Sequence, residues 1–305
     1  GPEVGGPHGP YLQSQRLDIY AQWAARFIEQ GDAYYCYCAP EELEARREAQ
    51  KESGQAPGYD GKCRSISETD LARYQSEGRE PVIRMRMPEG STTFTDVIRG
   101  DCTFDHNFVP DFVLVRADGS PLYTFTSVVD DLEMGITHIV RGEDHVTNTG
   151  IQIDIFEALG GKQGALAFGH LPLLTDAEGG ALSKRLGSIS LRHLRKDGIE
   201  PAALVGYLAA LGTSNDPVAG MPADLAPTYD LGKVSQSTAR FDPRHMLALN
   251  RKLLHGISFD AVKDRLPEGA DEAFWLAVRG NLDLLREARP WFDVVRGSIV
   301  PPVLE

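Results

Sequence analysis

The chain has 305 residues, of which 42% are hydrophobic and 25% charged, and its formal net charge is −13. That length predicts two or three compact units, each able to bury its own core; no run approaches the roughly 18 apolar residues that span a bilayer, and no charged-then-apolar leader opens the chain, so a cytoplasmic protein with no membrane partner is expected. The acidic balance argues against non-specific coating of nucleic acid, which depends on Lys and Arg neutralising phosphates, but it leaves room for a local basic face.

The opening GGPHGPYLQSQR is rich in glycine and irregular. From Ser14 to Gln30, residues Leu17, Tyr20, Ala21, Ala24, Phe27 and Ile28 recur at helical spacing, which predicts an amphipathic helix stopped by Gly31. DAYYCYC reads as a short strand. APEELEARREAQKESG places proline and acids first, bases later and glycine last, the order a helix dipole favours. EPVIRMRMP, GSTTFTDVIRGDCTFD and DFVLVRADGSPLYTFTSVVDD read as β-rich runs broken by turns, so residues 34–122 are expected to form a small mixed domain with an antiparallel sheet.

After it the pattern changes. ITHIVRGEDH reads as a strand entering a polar turn, NTGIQIDIFEALG as a helix closed by glycine, and AFGHLPLL as another buried strand, which predicts parallel β-α-β construction. SLRHLRKDGIEPAALVGYLAALG gives a helix, a turn at Asp197-Gly198 and a second helix. Residues 235–255 and the run DEAFWLAVRGNLDLLREARPWFDVV continue the helical pattern.

Three constellations carry chemistry. Four cysteines fall at 36, 38, 63 and 102. Cys36, Cys38 and Cys63, with the Tyr59 oxygen, have the donor types of a tetrahedral zinc site; the same thiols read equally well as small buried hydrophobes, and no disulfide framework is implied. The segment PLYTFTSVVDDLEMGITHIVRGEDHVTNTGIQI crowds Tyr123, Asp130, Asp131, Arg141, Glu143, Asp144, His145 and Asn148 into expected turns at strand ends, where open α/β sheets bind ligands. The third is GGALSKRLGS, where glycines flank Ser183, Lys184 and Arg185. A mobile backbone beside a point charge and a fork of donors suits a phosphate clamp, and a solvated basic turn is the plainer alternative.

Taken together, GGPHGPYLQSQR, CYCAPEELEARR, VIRMRMPEG, DVIRGDCTFDHNFVPDFVLVRADGSPLYTFTSVVDD, IVRGEDHVTNTGIQI and ALSKRLGSISLRHLRKDGIEPAALVGYLAALG resemble the bacterial glutamyl-tRNA synthetases, class I aminoacyl-tRNA synthetases, along essentially the whole chain. ALSKR is similar to the KMSKR loop of that class, with Ala181 in place of its first lysine and Leu182 in place of its methionine. The resemblance implies an α/β fold: a partial Rossmann-type catalytic domain with an inserted α+β acceptor-end domain, followed by all-α regions. It divides the chain into 1–33, the remnant of the first Rossmann half; 34–122, the insert; 123–190, the second half with the lysine loop; 191–255, a helical stem-contact region; and 256–305, the start of a helical anticodon-binding domain.

It also implies roles. Tyr123, Arg141, His145 and Asn148 would line the glutamate pocket, with Ser127 standing where some relatives have an asparagine. Asp144 would face the ATP ribose, the Leu174 backbone the adenine, and Lys184, with Ser183 and Arg185, the phosphates. The activity implied is ATP- and magnesium-dependent conversion of L-glutamate to glutamyl-adenylate and transfer to the 3′ end of tRNA-Glu by a monomeric parent protein, with zinc as a candidate ion. The HIGH motif of the class does not occur; GPHGPY and FGHLPLL are false echoes of it. The chain therefore reads as an internal fragment, inactive alone. The rival readings are the paralogue that glutamylates a modified tRNA base and a non-catalytic tRNA-binding module.

Overall fold

The computed structural model describes residues 1–176, 178–180, 182 and 190–297. The chain divides into two units, Gly1–His170 and Leu171–Glu305.

In the first unit, α1 (Leu17–Gln30) buries Tyr20, Ala24 and Phe27 on one stripe, and Gly31 ends it at φ 84°, returning its N–H to the carbonyls of Phe27 and Ile28. That left-handed conformation is open to glycine at no steric cost. β1 (Ala33–Cys36), α2 (Pro40–Glu52) and α3 (Glu68–Ser76) follow, the last capped by the Ser67 hydroxyl, which accepts from the Asp70 N–H at 3.0 Å. Then come β2 (Val82–Met85), β3 (Ser91–Asp96), β4 (Gly100–Asp105) and β5 (Val113–Val115). The expected antiparallel sheet exists in the order β1-β2-β5, with Ala33 opposite Met85 and Cys36 opposite Val82.

α4 (Tyr123–Glu133), β6 (His138–Gly142), α5 (Val146–Ala158) and β7 (Ala167–Leu171) complete the unit. The second sheet runs β4-β3-β7-β6, with β3 antiparallel to β4 and parallel to β7. The hairpin of residues 91–105 thus shares a sheet with the strands on either side of α5. One expectation fails: within PLYTFTSVVDD the chain turns helical from Tyr123 onward. Its β-branched and aromatic residues favour strands, but Phe125, Val128, Val129 and Leu132 fall at helical spacing and join one core with Tyr20, Phe27, Leu114, Ile155 and Leu159. Burial on that stripe outweighs local propensity. Within α5, a Cβ at Gly150 would stand 2.6 Å from the ring of Phe104, so the absence of a side chain is what lets the helix lie against β4.

In the second unit, β8 (Leu174–Thr175) precedes α6 (Leu191–Asp197), α7 (Pro201–Ala210) and α8 (Pro222–Leu225). β9 (Ala239–Arg240) pairs parallel with β8. The run from 235 is therefore not helical at its start: α9 spans Pro243–Gly256, because Pro243 fixes the first helical turn and holds Asp242 extended at φ −108°, ψ 111°. α10 (Phe259–Val262), α11 (Glu272–Val278) and α12 (Ala288–Arg296) are the last helices among the described residues. Leu194, Ala203, Tyr207, Phe241, Met246 and Leu249 form one core; Leu254, Phe274, Trp275, Val278 and Leu282 belong to another. Fully buried Asn250 joins the elements, its Oδ1 accepting from the Glu200 N–H at 2.7 Å and its Nδ2 donating to the Asp283 carbonyl at 2.7 Å. Among the described residues no helix is long and apolar enough to cross a membrane.

Candidate active site and metal centre

Arg141 lies next to last on β6, where the strand gives way to the turn Glu143–His145 and then to α5. Its guanidinium is held on several sides. Nε donates to His170 Nε2 at 3.2 Å, Nη2 to Thr149 Oγ1 at 2.7 Å and to Gln152 Oε1 at 2.5 Å, and Nη1 to the Tyr123 hydroxyl at 3.2 Å. Gln152 is fixed in turn by donating to Ser127 Oγ at 2.8 Å. Thr149 and Gln152 are three apart on α5 and so face the strand together.

The sites inferred from sequence separate into three groups. Tyr123, Arg141, His145 and Asn148 come together: the Tyr123 and His145 rings lie 5.6 Å apart, and Asn148 Nδ2 is 3.2 Å from His145 Nδ1. Asp144 flanks them, its carboxylate 3.8 Å from His145 Nε2. Leu174 lies on β8 in the second unit. Ser183, Lys184 and Arg185 lie outside the described residues. Of the acids, Asp130 and Asp131 sit on α4 rather than in a turn. Asp130 binds Arg16 at 2.7 Å and the Tyr20 hydroxyl at 3.0 Å; burial, then this carboxylate, push the Tyr20 hydroxyl up to about 12. Glu143 pairs with Arg99 at 2.6 Å. Asp131 is half-buried; its carboxyl is pushed up to about 6 by burial, although the Arg141 charge opposes the shift.

Four residues that hold Arg141, or its partners, were not singled out in the sequence: Asp96, Thr149, Gln152 and His170. His170 is in the segment set aside as a false echo of a motif. The available signal was position, since Thr149 and Gln152 follow the turn at α5 spacing; nothing local marks Asp96.

The cysteine cluster is built from Cys36 at the end of β1, Cys38 two residues beyond it and Cys63 in the turn at Lys62–Ser65. The sulfurs of Cys36, Cys38 and Cys63 all lie within 4.8 Å of one another, and those of Cys38 and Cys63 are 3.6 Å apart. Ligands about 2.3 Å from a tetrahedral zinc ion stand roughly 3.8 Å from each other, so the spacing fits. The Tyr59 hydroxyl is 3.4 Å from Cys36 Sγ and accepts the Cys63 N–H at 2.9 Å. Hydrogen bonds from Cys38 and then Cys63 hold the Cys36 thiol below its usual range, and the bond to Cys36 pushes Cys38 up. Arg46 Nη1 stands 3.8 Å from Cys38 Sγ. Cys102 belongs to β4, outside the cluster.

The family model for the catalytic domain of class I tRNA synthetases (E and Q) matches residues 3–236. The chain is 50% identical over 293 residues to the glutamate–tRNA ligase 2 of Gluconacetobacter diazotrophicus, and 50% identical over 292 residues to that of Acidiphilium cryptum, covering 96% of this chain and 66% of each relative. It therefore spans just under two thirds of their length. Among solved structures, a glutamate–tRNA synthetase from Elizabethkingia anophelis superposes with a TM-score of 0.80 at 27% identity, covering 95% of this chain and 66% of that one. A glutamate–tRNA ligase from Elizabethkingia meningosepticum, in complex with its amino acid, gives 0.81 at 28%, covering 95% and 65%.

Proposed function

The chain belongs to the class I tRNA synthetases of the E and Q branch, and on that premise we propose that the intact protein is a glutamate–tRNA ligase. It activates L-glutamate with ATP and magnesium to glutamyl-adenylate, then transfers the glutamyl group to the 3′ end of tRNA-Glu.

The observation that carries the amino-acid half is the cage around Arg141. Four hydrogen bonds hold its guanidinium, leaving one Nη1 hydrogen uncommitted among the described contacts. Tyr123 accepts from Nη1, so its own hydroxyl hydrogen is free to donate. A substrate carboxylate therefore meets two adjacent donors, the Arg141 Nη1–H and the Tyr123 O–H, rather than a bidentate guanidinium fork. Charge-assisted bonds of this kind are about twice as strong as neutral ones. His145 and Asn148, beside Tyr123, are assigned to the rest of the amino acid; Asp144 is assigned to the ribose and the Leu174 backbone to adenine.

In the chemical step the α-carboxylate of glutamate attacks the α-phosphate and pyrophosphate leaves, while the side-chain carboxylate is the one read as meeting Arg141 and Tyr123. Lys184, with Ser183 and Arg185, is assigned to the charge that builds on the phosphates, where a positioned cation acts most strongly. Cys36, Cys38, Cys63 and Tyr59 would hold a zinc ion, whose role there is to tie the 59–65 turn to β1.

Glutamate-dependent exchange of pyrophosphate into ATP by the intact protein, followed by charging of tRNA-Glu, tests the reading. Exchange with glutamate and not with aspartate or glutamine supports it; exchange that ignores glutamate overturns it.

A further inference from the structure

His170 and Asp96 are 0% and 1% exposed, side by side beneath Arg141. Asp96 Oδ2 lies 2.6 Å from His170 Nδ1 and accepts the His170 backbone N–H at 3.0 Å, while its Oδ1 accepts the N–H groups of Ile98 and Arg99, both at 2.9 Å. On the other side of the ring, Nε2 faces Arg141 Nε at 3.2 Å and Thr149 Oγ1 at 2.9 Å.

These contacts leave one tautomer. The Arg141 Nε–H is always a donor, so His170 Nε2 must be bare; a neutral imidazole then carries its proton on Nδ1, facing the carboxylate that accepts it. Burial lowers the imidazole's affinity for a second proton, and the nearby Asp96 only partly offsets this, so the ring stays neutral. Burial raises Asp96, but its bonds from His170 and from the backbone outweigh that and keep it ionised. The carboxylate is itself anchored on the backbone of the β3–β4 turn.

We propose that Asp96 and His170 are positioning residues for substrate recognition: Asp96 sets the tautomer of His170, and the bare Nε2 of His170 holds Arg141 Nε so that Nη1 is presented to the substrate carboxylate beside Tyr123. This rests on the reading of Arg141 as the carboxylate-binding residue. Neither positioning residue touches substrate. Their effect is to remove rotational freedom from the guanidinium before binding, which would otherwise be lost at the moment of binding.

Asp96→Asn tests it with almost no change in volume. The amide would put an N–H against His170 Nδ1, drive the ring to its other tautomer, and set an Nε2–H against the Arg141 Nε–H. In the intact protein, pyrophosphate exchange should show KM for glutamate raised roughly ten- to hundredfold, the range expected when a hydrogen bond to a charged group is lost, with KM for ATP unchanged and kcat reduced less. His170→Asn keeps the donor to Asp96 but leaves Arg141 Nε without an acceptor, and should behave alike; His170→Gln, whose carbonyl oxygen reaches the place of Nε2, should recover most of the loss. Should Asp96→Asn fail to fold, the two His170 variants decide the matter by the same ordering.

A role in stability alone would not depend on Arg141. In an Arg141→Ala background, Asp96→Asn and His170→Asn should therefore raise KM for glutamate no further. A full additional effect there, equal KM for His170→Asn and His170→Gln, or a normal KM in Asp96→Asn beside a raised one in Arg141→Ala, overturns the proposal while leaving the pocket intact. A normal KM in Arg141→Ala itself is a different result, since it removes the pocket reading on which the proposal stands.

Discussion

Arg64 grips Asp111 with two nitrogens: Nε lies 2.5 Å from Oδ2, and Nη2 donates to Oδ1. The carboxylate, 1% exposed, also accepts from the Tyr34 hydroxyl and from the Met87 N–H at 2.9 Å, so it ties the cysteine turn to β1 and to the segment after β2.

Burial raises the Asp111 carboxyl, but the bonds from Arg64, Tyr34 and Met87 outweigh it and hold the group below its usual range. A depressed carboxylate contributes stability that is present above its unfolded value and is lost as pH falls through the folded one. Asp111→Asn should therefore lower stability at pH 7 by on the order of 2–3 kcal/mol, less than for a wholly buried pair because Arg64 is 37% exposed, and the gap to wild type should narrow under strong acid. Urea melts at pH 7 and pH 3 check this; an equal gap at both would deny the carboxylate its role.

Asp131 gives the opposite sign. Its carboxyl, raised to about 6 from an ordinary 3.8, is ionised at neutral pH against the cost of burial. A raised group contributes stability that is full below the unfolded value and is lost as pH rises through about 6. A shift near 2 units corresponds to about 3 kcal/mol at most; partial exposure reduces that to about 1–2 kcal/mol. Asp131→Asn should thus melt higher than wild type at pH 7.5 and at the same temperature at pH 3. The reverse order would mean that Arg141 stabilises the charge more than burial penalises it.

Helical periodicity marked α1 and α5, and the spacing of Cys36, Cys38 and Cys63 marked a cluster that the fold does assemble. Tyr123, Arg141, His145 and Asn148 stood within one stretch of 26 residues, so their gathering was legible from sequence proximity. Periodicity in PLYTFTSVVDD was hidden by residues that favour strands, and only the core it packs against decides for a helix. Asp96 could not be found at all: it is 74 residues from His170, and a parallel pairing of β3 with β7 brings them together. Long-range pairing of that kind leaves no local trace.

The thiol cluster predicts metal. Purified protein should carry up to one zinc per chain, and Cys38→Ser should lose it, because two thiolates and a phenol hold zinc far more weakly than three thiolates do. Chelation should lower the melting temperature of the wild type and leave Cys38→Ser unmoved. Equal metal in both proteins, or none in either, rejects the site.

The last prediction separates binding from chemistry. On the reading that Arg141 binds the side-chain carboxylate of glutamate, which keeps its charge while the α-carboxylate attacks the phosphate, its contribution is nearly uniform along the reaction. Arg141→Ala in the intact protein should accordingly raise KM for glutamate by about two orders of magnitude, the cost of leaving a charged group unpaired in a half-buried pocket, with a smaller change in kcat. Lys184 is assigned to charge that exists only as the α-phosphate is attacked. Lys184→Ala should lower kcat for pyrophosphate exchange by about a hundredfold or more and change KM for glutamate little, since removing a group that acts on developing charge leaves the ground state almost untouched. Steady-state exchange at varied glutamate and fixed saturating ATP distinguishes the two. If Lys184→Ala instead raises KM for glutamate at normal kcat, the segment 183–185 serves amino-acid binding and the phosphate assignment fails.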